Sequence, residues 1–452
     1  MRFTELAYDT PKDLLFGFAK HPLNYGFDLS VGRGKVIPEV KYLLKPGFEK
    51  EKDLLLEEYK KTTMAIMERI VNLGFKEVQL DTEFVEPMVR NVEWGSSVVR
   101  EQKEILHKYY LEHGVKSALR ATVADIRRFE RGLRKDDYVQ MILESFEYSV
   151  DEGADLLSIE SRGGQEVFSY SIMRNDLSGI LFSIAILASR DVRFLWREIV
   201  SLSKDAIPAG DTACALANSA MVLADGLINR RIPHVLSTVV RAMSAVRTLA
   251  CYEEGARGPG KDCAYENVII KAITGYPVSM EGKTSAPAHS SLVGNISAAA
   301  CDLWSNESIT VDDFFSGKSV AAMLEILCYD VSIMNTSITL NLNSEFQRVL
   351  IESDKYRDPQ ALILSPDNAL RIAGAIVSEK TDYNRAVAAA NEAVKIIEEN
   401  LDKLKCPEAE IRYLSLIKKF FENIPEEERF IDEAVKKYSE KVQSFKPSNY
   451  EL

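Results

Sequence analysis

Three side chains in this 452-residue chain have the types and local surroundings of metal ligands. Glu160 opens the string Glu-Ser-Arg-Gly-Gly-Gln, Cys214 ends Gly-Asp-Thr-Ala-Cys, and Cys263 ends Gly-Pro-Gly-Lys-Asp-Cys. One carboxylate and two thiolates leave the fourth position of a tetrahedral zinc ion open, which is the catalytic form of zinc coordination. Because the three residues are far apart in sequence, the residue types also fit two small buried cysteines and a Glu160 that pairs with an arginine.

The glycine-rich segment before Cys263 also has a partial match to a phosphate-binding loop. Gly255, Gly260 and Lys261 have the required spacing, but Asp262 occupies the position of the Ser or Thr that binds magnesium. Pro259 removes one backbone N–H that would face a phosphate. Nucleotide binding is therefore disfavoured. Cys263 stands where a helical pattern begins, and a helix N-terminus favours the thiolate, the form that binds metals.

Other residues with reactive side chains have weaker signals. The remaining cysteines lack such loops and are expected to pack in the core; they are Cys251, Cys301, Cys328 and Cys406. His289, between Ala and Ser residues, is a candidate for lining the site, although a hydrogen-bonded, partly buried histidine is the simpler interpretation. Four acidic residues are candidates for positions beside the ligands, or are ordinary caps and turn residues: Asp81, Glu83, Asp211 and Asp262. Of these, Asp81, Glu83 and Asp211 are also candidates for proton transfer.

The elements that must position these residues follow a repeated pattern of helix, glycine and short strand. Helical segments end at Gly74, Gly114 and Gly153, and each is followed by a strand-like segment. This alternation is typical of β/α units around a parallel sheet, whose ligand sites collect at the carboxyl ends of the strands. Glu160 directly follows the strand-like segment 154–159, where such a ligand is expected.

The pattern divides the chain into three predicted segments. Residues 1–74 are predicted as an irregular N-terminal arm and a helix packed on a barrel, and residues 75–352 as the barrel that carries the zinc site. Residues 353–452 are predicted as a helical C-terminal extension. Its helices are expected at 367–379, 382–400, 407–423 and 428–445.

Composition excludes several classes of function. The formal net charge is −12 and no basic run is present, so nucleic-acid binding is not expected. No apolar run approaches the roughly 18 residues of a membrane span, and the N-terminus has no signal-peptide core. We therefore expect a cytoplasmic protein that does not bind membranes. Six cysteines are too few for a disulfide framework, and without a CxxC pair a zinc finger is excluded.

The strings Leu-Ser-Ile-Glu-Ser-x-Gly-Gly at 157–164, Gly-Asp-Thr-Ala-Cys at 210–214 and Ala-Arg-Gly-Pro-Gly-Lys-Asp-Cys at 256–263 resemble those of the zinc-dependent methanol–corrinoid methyltransferases. The resemblance covers nearly the whole chain. It implies an α/β fold, a TIM (β/α)8 barrel with additional helices. It also implies a catalytic Zn2+ held by Glu160, Cys214 and Cys263. Neighbours of these residues would bear on the substrate if they face the pocket: Arg162, Gln165, Ala215 and Leu216.

The implied reaction is transfer of the methanol methyl group to cob(I)alamin. The chain lacks the Asp-x-His-x-x-Gly string of many cobalamin-binding domains, so the corrinoid is expected on a separate partner protein. The resemblance further implies a homodimer within a hetero-oligomer. Cobalt(II) also fits the ligand types.

Three other interpretations remain. In the first, the same zinc and corrinoid chemistry acts on another methylated substrate, such as a methyl ether. A zinc hydrolase would normally require histidine ligands, but only five histidines are present and none is in an HExxH pattern. A non-catalytic subunit with a structural metal would need a fourth ligand, for which we find no convincing candidate.

Overall fold

The computed structural model describes residues 1–44, 46–225, 231–283, 291–309 and 317–452. Nine strands lie in these ranges: β1 (Phe18–Tyr25), β2 (Leu29–Arg33), β3 (Ile37–Leu43), β4 (Glu77–Glu83), β5 (Lys116–Val123), β6 (Leu156–Ile159), β7 (Ile207–Asp211), β8 (Ser279–Glu281) and β9 (Leu303–Ile309). β1 and β2 form an antiparallel hairpin. The other seven form one parallel sheet in the order β7-β6-β5-β4-β3-β9-β8.

Helices of the first half follow the strands: α1 (Lys52–Asn72), α2 (Glu86–Arg90), α3 (Val92–His113), α4 (Asp137–Asp151), α5 (Gln165–Ile172), α6 (Leu177–Leu181), α7 (Ser189–Leu202), α8 (Ser219–Asp225), α9 (His234–Glu253) and α10 (Asn267–Thr274). Two π-helical segments, Phe182–Ala188 and Cys214–Asn218, precede α7 and α8. The described part of the second half adds α11 (Gly294–Ala298), α12 (Ser319–Thr339), α13 (Asn343–Asp354), α14 (Pro359–Leu364), α15 (Pro366–Val377), α16 (Asp382–Glu398), α17 (Leu401–Leu404), α18 (Glu408–Glu422) and α19 (Glu427–Lys441).

The Gly-Pro-Gly segment joins the two edges of the curled sheet. The N–H groups of Arg257 and Gly258 donate to Pro208 and Ala209 of β7 at 2.8 and 2.9 Å. On the other side, Gly260 forms a parallel bridge with Val278, directly before β8. Residues 257–260 therefore occupy the place of an eighth strand, and the prediction of a (β/α)8 barrel is confirmed. Because proline and glycine are rare in strands, the residue types of this segment do not predict a strand.

The N-terminal region differs from the predicted irregular arm. β3 lies inside the sheet, between β4 and β9, and is the first strand of the barrel. Pro38 is unexpected in a central strand because proline cannot donate to the ladder. In the structure Pro38 lies one residue before pairing with β4 begins at Glu39. The prediction was therefore wrong for β1, β2 and β3, while the boundaries of the three segments stay a prediction.

The β1–β2 hairpin closes the amino end of the barrel. Leu29 and Val31 are fully buried in a small apolar cluster. Its other members include residues at or near the start of the barrel strands: Ile37, Ala118, Leu156, Ile207 and Leu303. Apolar packing thus joins the hairpin to the barrel at its amino end.

The C-terminal helices are confirmed close to their predicted positions, as α15, α16, α18 and α19. α16 packs on α9, and every residue of α9 from Val235 to Glu253 is buried. α9 lies between the barrel and this outer layer, which explains why it has no exposed polar face; its buried residues include Arg241 and Arg247. Among the described helices, none is both long and apolar enough to cross a membrane.

Candidate metal centre

Glu160, Cys214 and Cys263 meet at the carboxyl end of the barrel. One potential ligand atom from each lies within 4.8 Å of the other two. The two Sγ atoms are 3.1 Å apart, and Cys263 Sγ lies 3.0 Å from Glu160 Oε1. Within the described ranges, this is the one cluster of three or more His, Cys, Asp or Glu side chains with metal-binding geometry. The structure brings together the three residues that the sequence singled out.

The barrel order explains how residues so distant in sequence converge. Glu160 directly follows β6, and Cys214 lies three residues after its neighbour β7. Cys263 follows segment 257–260, which pairs with the other edge of β7. The three ligands thus come from consecutive positions around the ring. One detail of the prediction was wrong: Cys263 lies in a turn, and α10 begins only at Asn267.

Asp211, at the end of β7, holds two of the ligand loops. Its Oδ1 accepts the backbone N–H groups of Ser161 at 3.1 Å and Thr212 at 2.7 Å. Arg247 donates to the same oxygen at 2.7 Å, and Trp196 Nε1 donates to Oδ2 at 2.9 Å. Because Asp211 is fully buried and has these four partners, it fixes backbone beside Glu160 and Cys214. This placement favours positioning over the proton transfer considered for it.

Asn218 is a residue of the site that sequence reasoning missed. Its side-chain Nδ2 lies 3.1 Å from Cys214 Sγ and donates to the carbonyl of Cys263 at 3.0 Å. Its Oδ1 accepts from Arg241 at 2.6 Å, which fixes the orientation of the amide. Asn218 is one helical turn after Cys214, so the i, i+4 spacing was the available signal.

Two buried lysines neutralise carboxylates beside the ligands. Lys261 Nζ lies 2.7 Å from Asp262, 2.9 Å from Asp81 and 3.0 Å from Glu83. The same atom is 3.9 Å from Glu160 Oε1. This environment repels phosphate, which agrees with the rejection of the nucleotide-binding motif. Lys261 was considered only within that motif, and its role as a counter-charge was missed.

Lys41 is the second of these lysines and lies in β3, within the segment predicted to be an irregular arm. Its Nζ is 3.3 Å from Asp262 and 3.8 Å from Glu83. Burial would lower the pKa of Lys41, but Asp262 and Glu83 raise it well above its ordinary value. The same opposition acts on Lys261, where Asp262 and Asp81 raise the pKa. Both ammonium groups therefore stay charged.

The three candidate ligands are acidic groups that crowd one another. The hydrogen bond with Cys214, burial and nearby negative charge raise the pKa of Cys263 well above its ordinary value. A hydrogen bond with Cys263 favours the Cys214 thiolate, yet burial and Glu160 leave its pKa raised. Burial and the charge of Glu83 also raise the pKa of Glu160. Groups this close need protons or a cation between them, so this donor set fits a thiophilic dication such as zinc.

A cavity of about 300 Å³ opens onto Glu160 and Cys214. Its wall combines apolar side chains with polar and charged ones: Glu83, Phe84, Thr122, Val123, Ala124, Asp125, Arg162, Gln165 and Ala215. Three of the four residues considered for substrate choice, Arg162, Gln165 and Ala215, therefore face it. Leu216 is buried and lies outside this wall.

The remaining candidates lie elsewhere. Cys251, Cys301 and Cys328 are buried in the hydrophobic core, as predicted, and Cys406 is half-buried. His289 lies outside the described residues. Among the acidic candidates, Asp81 and Asp262 are fully buried and paired with Lys261, whereas Glu83 is partly exposed and lines the cavity.

Comparison with known proteins gives full-length matches. The family described as methanol-cobalamin methyltransferase B subunit matches residues 1–451. The methanol–corrinoid protein co-methyltransferase of Methanosarcina barkeri (strain Fusaro / DSM 804) is 43% identical over 455 residues, covering 99% of each chain. A chain in the crystal structure of the methanol:cobalamin methyltransferase complex from Methanosarcina barkeri superposes with a TM-score of 0.97 at 42% identity, and 100% of both chains is covered.

Proposed function

Because the chain belongs to the methanol-cobalamin methyltransferase B subunit family, we propose that it transfers the methyl group of methanol to a corrinoid carried by a separate protein, at zinc bound by Glu160, Cys214 and Cys263. The observation that carries this proposal is the convergence of these side chains within 4.8 Å beside a cavity. Zinc bound there would act as a Lewis acid that polarises the C–O bond of methanol.

The residues of this chain would prepare the site for that chemistry. The Asn218 amide, 3.1 Å from Cys214 Sγ, orients the thiolate, as neighbours of metal ligands commonly do. Lys261, 3.9 Å from Glu160 Oε1, favours the ionised carboxylate that a metal requires. Phe84 and Val123 supply apolar wall to the cavity, which limits water beside the reacting groups.

Glu83 is the acidic candidate best placed to exchange a proton with the substrate hydroxyl. It lines the cavity together with Glu160, and its carboxylate is fixed by Lys261 at 3.0 Å. Asp81 and Asp262 are fully buried, and neither lines this cavity. We therefore propose that the Glu83 carboxylate accepts the hydroxyl proton of methanol and returns that proton to the oxygen as the methyl group leaves.

The partner in this proposal is a corrinoid protein. The matching Methanosarcina barkeri structure is that of a methanol:cobalamin methyltransferase complex, which supports a protein-bound corrinoid as methyl acceptor. A homodimer within a hetero-oligomer and a cytoplasmic location stay predictions. Methanol is favoured over a methyl ether as the substrate because the full-length relative is a methanol–corrinoid protein co-methyltransferase.

The first experiment measures zinc by elemental analysis in wild type, Cys263→Ala and Glu160→Gln. We expect about one zinc per chain in wild type and much less in both variants. Cys301→Ala is the matched control because it removes a buried thiol outside the cluster. Methanol-dependent methylation of cob(I)alamin should fall about 1,000-fold or more in Cys263→Ala, since a Lewis acid supplies several kcal/mol of transition-state stabilisation.

Equal zinc content in all four proteins would refute the ligand assignment. A wild type that methylates cob(I)alamin from a methyl ether but not from methanol would instead show that the site is correct and the substrate is wrong.

A further inference from the structure

The last residues of the chain contact the loop that carries Glu160. Tyr450 is fully buried, and its hydroxyl oxygen accepts the backbone N–H of Gly164 at 2.9 Å. The same hydroxyl donates to Glu166 Oε1 at 2.7 Å. Tyr450 thus ties the C-terminus to the segment 160–166, which joins the end of β6 to α5.

Separate contacts dock the C-terminal segment without the Tyr450 hydroxyl. Arg190 donates to the backbone carbonyls of Tyr450 at 3.0 Å and Glu451 at 2.8 Å. Asn449 Nδ2 donates to the carbonyl of Phe129 at 3.1 Å. The Tyr450 ring also stacks on Phe445, with centroids 6.2 Å apart. Removing the hydroxyl alone therefore leaves the docking of the tail largely in place.

The Tyr450 contact is one of three that hold backbone N–H groups of this loop. Each is accepted by a side chain from a different part of the chain: Ser161 by Asp211, Arg162 by Asp125, and Gly164 by Tyr450. Asp211 and Asp125 are fixed in turn by Arg247 and Arg127. The two ion pairs hold the first half of the loop, and Tyr450 holds the second half.

The glycine at the end of this loop lies close to the backbone of a neighbouring segment. Gly164 has φ +80°, and a Cβ there would lie 2.6 Å from the carbonyl oxygen of Ser183. A side chain is therefore excluded at this position, and because glycine restricts its own backbone least, the position of Gly164 depends on contacts such as that with Tyr450. Loss of the hydroxyl would leave a buried N–H without its acceptor, which favours displacement of the loop.

We propose that Tyr450 is a positioning residue for Glu160. By holding Gly164, it keeps the loop after β6 in the conformation that presents the carboxylate to Cys263. The effect on metal binding rests on the proposed function, whereas the effect on the loop does not. Direct partners of metal ligands typically alter metal affinity about 10- to 100-fold. Tyr450 acts on Glu160 through the loop backbone, so we expect an effect near the lower end of this range.

The test compares Tyr450→Phe with Tyr383→Phe in the full chain. Tyr383 is a matched control because it is also buried, and its hydroxyl donates to the Pro425 carbonyl at 2.7 Å, away from the loop. In metal-free protein, hydrogen–deuterium exchange of a peptide covering 160–166 should be about 10-fold faster in Tyr450→Phe and unchanged in Tyr383→Phe. Competition with a chelator should show Zn2+ affinity at least about 10-fold lower in Tyr450→Phe alone.

A further variant separates tail docking from the hydroxyl. Asn449→Ala weakens the contact with Phe129 but keeps Tyr450, so its effect on the same peptide should be smaller. Wild-type exchange and affinity in Tyr450→Phe, or an equal loss in Tyr383→Phe, would overturn the proposal. If wild type binds no zinc, the proposed function fails, and exchange in the metal-free protein still decides whether Tyr450 holds the loop.

Discussion

The acidic side chains at the two ends of the barrel have different surroundings. At the carboxyl end, Glu160, Cys214 and Cys263 crowd together, and a cavity of about 300 Å³ opens onto two of them. At the amino end a larger cavity, about 470 Å³, is lined by Asp151 and Asp155 among others. Cavity volume alone would therefore assign the functional site to the amino end, away from the Glu160, Cys214 and Cys263 cluster.

The difference lies in how the acidic groups are neutralised. At the amino end, Asp155 accepts from Lys103 at 2.7 Å and from the N–H of Leu119 at 2.8 Å, and Asp151 pairs with Lys204. At the carboxyl end two thiols and a carboxylate are in contact with one another. Crowded acidic groups, rather than cavity volume, therefore identify the end that can bind a metal.

The largest expected effect on stability comes from Lys261→Met at the carboxyl end. Lys261 is fully buried against Asp81, Glu83 and Asp262. Among the described residues, its removal leaves Asp81 with only Arg120, at 4.0 Å, and Asp262 with only Lys41, at 3.3 Å, as counter-charges. We expect a loss of about 3–5 kcal/mol in the free energy of unfolding, measured by urea denaturation.

The control for this variant is Lys204→Met at the amino end. Its ion pair with Asp151 is exposed, so the melting temperature should stay within error of wild type. An equal loss of stability in Lys261→Met and Lys204→Met would show that the lysines at the two ends do not differ in their contribution to stability.

Leu29→Ala tests the apolar end of the barrel. Leu29 is fully buried in the small apolar cluster between the β1–β2 hairpin and the barrel strands. Its truncation should lower the free energy of unfolding by about 2–5 kcal/mol. Zinc content and turnover per folded molecule should match wild type, because this cluster lies at the end of the barrel opposite the proposed ligands. The exposed Leu111→Ala is the control for stability. A loss of zinc in Leu29→Ala would show that the two ends are coupled.

The smallest effect concerns a buried carboxyl near the candidate metal site. Glu166 is bonded to the neutral Tyr450 hydroxyl, whereas Asp155 is bonded to Lys103. Burial raises the pKa of Glu166 from 4.5 to about 7. The folded protein therefore favours the protonated form, and the stability that this form contributes is complete below about pH 4.5 and is lost as the pH rises through about 7.

Glu166→Gln should remove this pH dependence. Between pH 5 and pH 8, wild type should lose on the order of 2 kcal/mol relative to the variant, seen as a falling difference in melting temperature. Glu104→Gln, at an exposed position, should follow wild type. A constant difference between wild type and Glu166→Gln across this range would contradict the raised pKa.

Much of the fold was predictable because local signals agreed with it. Gly114 ends α3 with φ 65° and separates it from β5, as the helix, glycine and strand pattern indicated. The C-terminal helices were predictable from their periodicity. β3 was missed because Pro38 is typical of an irregular segment, and only its place one residue before pairing with β4 reconciles proline with the sheet.

The site was predictable in part. The motif strings around Glu160, Cys214 and Cys263 identified the cluster, but its counter-charges were missed. Lys41 is more than 200 residues from Asp262 in sequence, so no local pattern relates them. Tyr450 gives no signal at all, since its partner Gly164 is 286 residues away.

The residue types of the candidate site, the β/α alternation and the helical C-terminal layer are evident from the amino-acid order alone, because they depend on side-chain chemistry and short-range periodicity. Only the packing of distant parts of the chain shows which segment closes the barrel, which lysines face the proposed ligands and which residue holds the Glu160 loop. Those outcomes depend on barrel closure, which places residues 257–260 beside β7 and the last residues of the chain beside the loop after β6. Contacts between such distant segments leave no periodic trace in a single sequence.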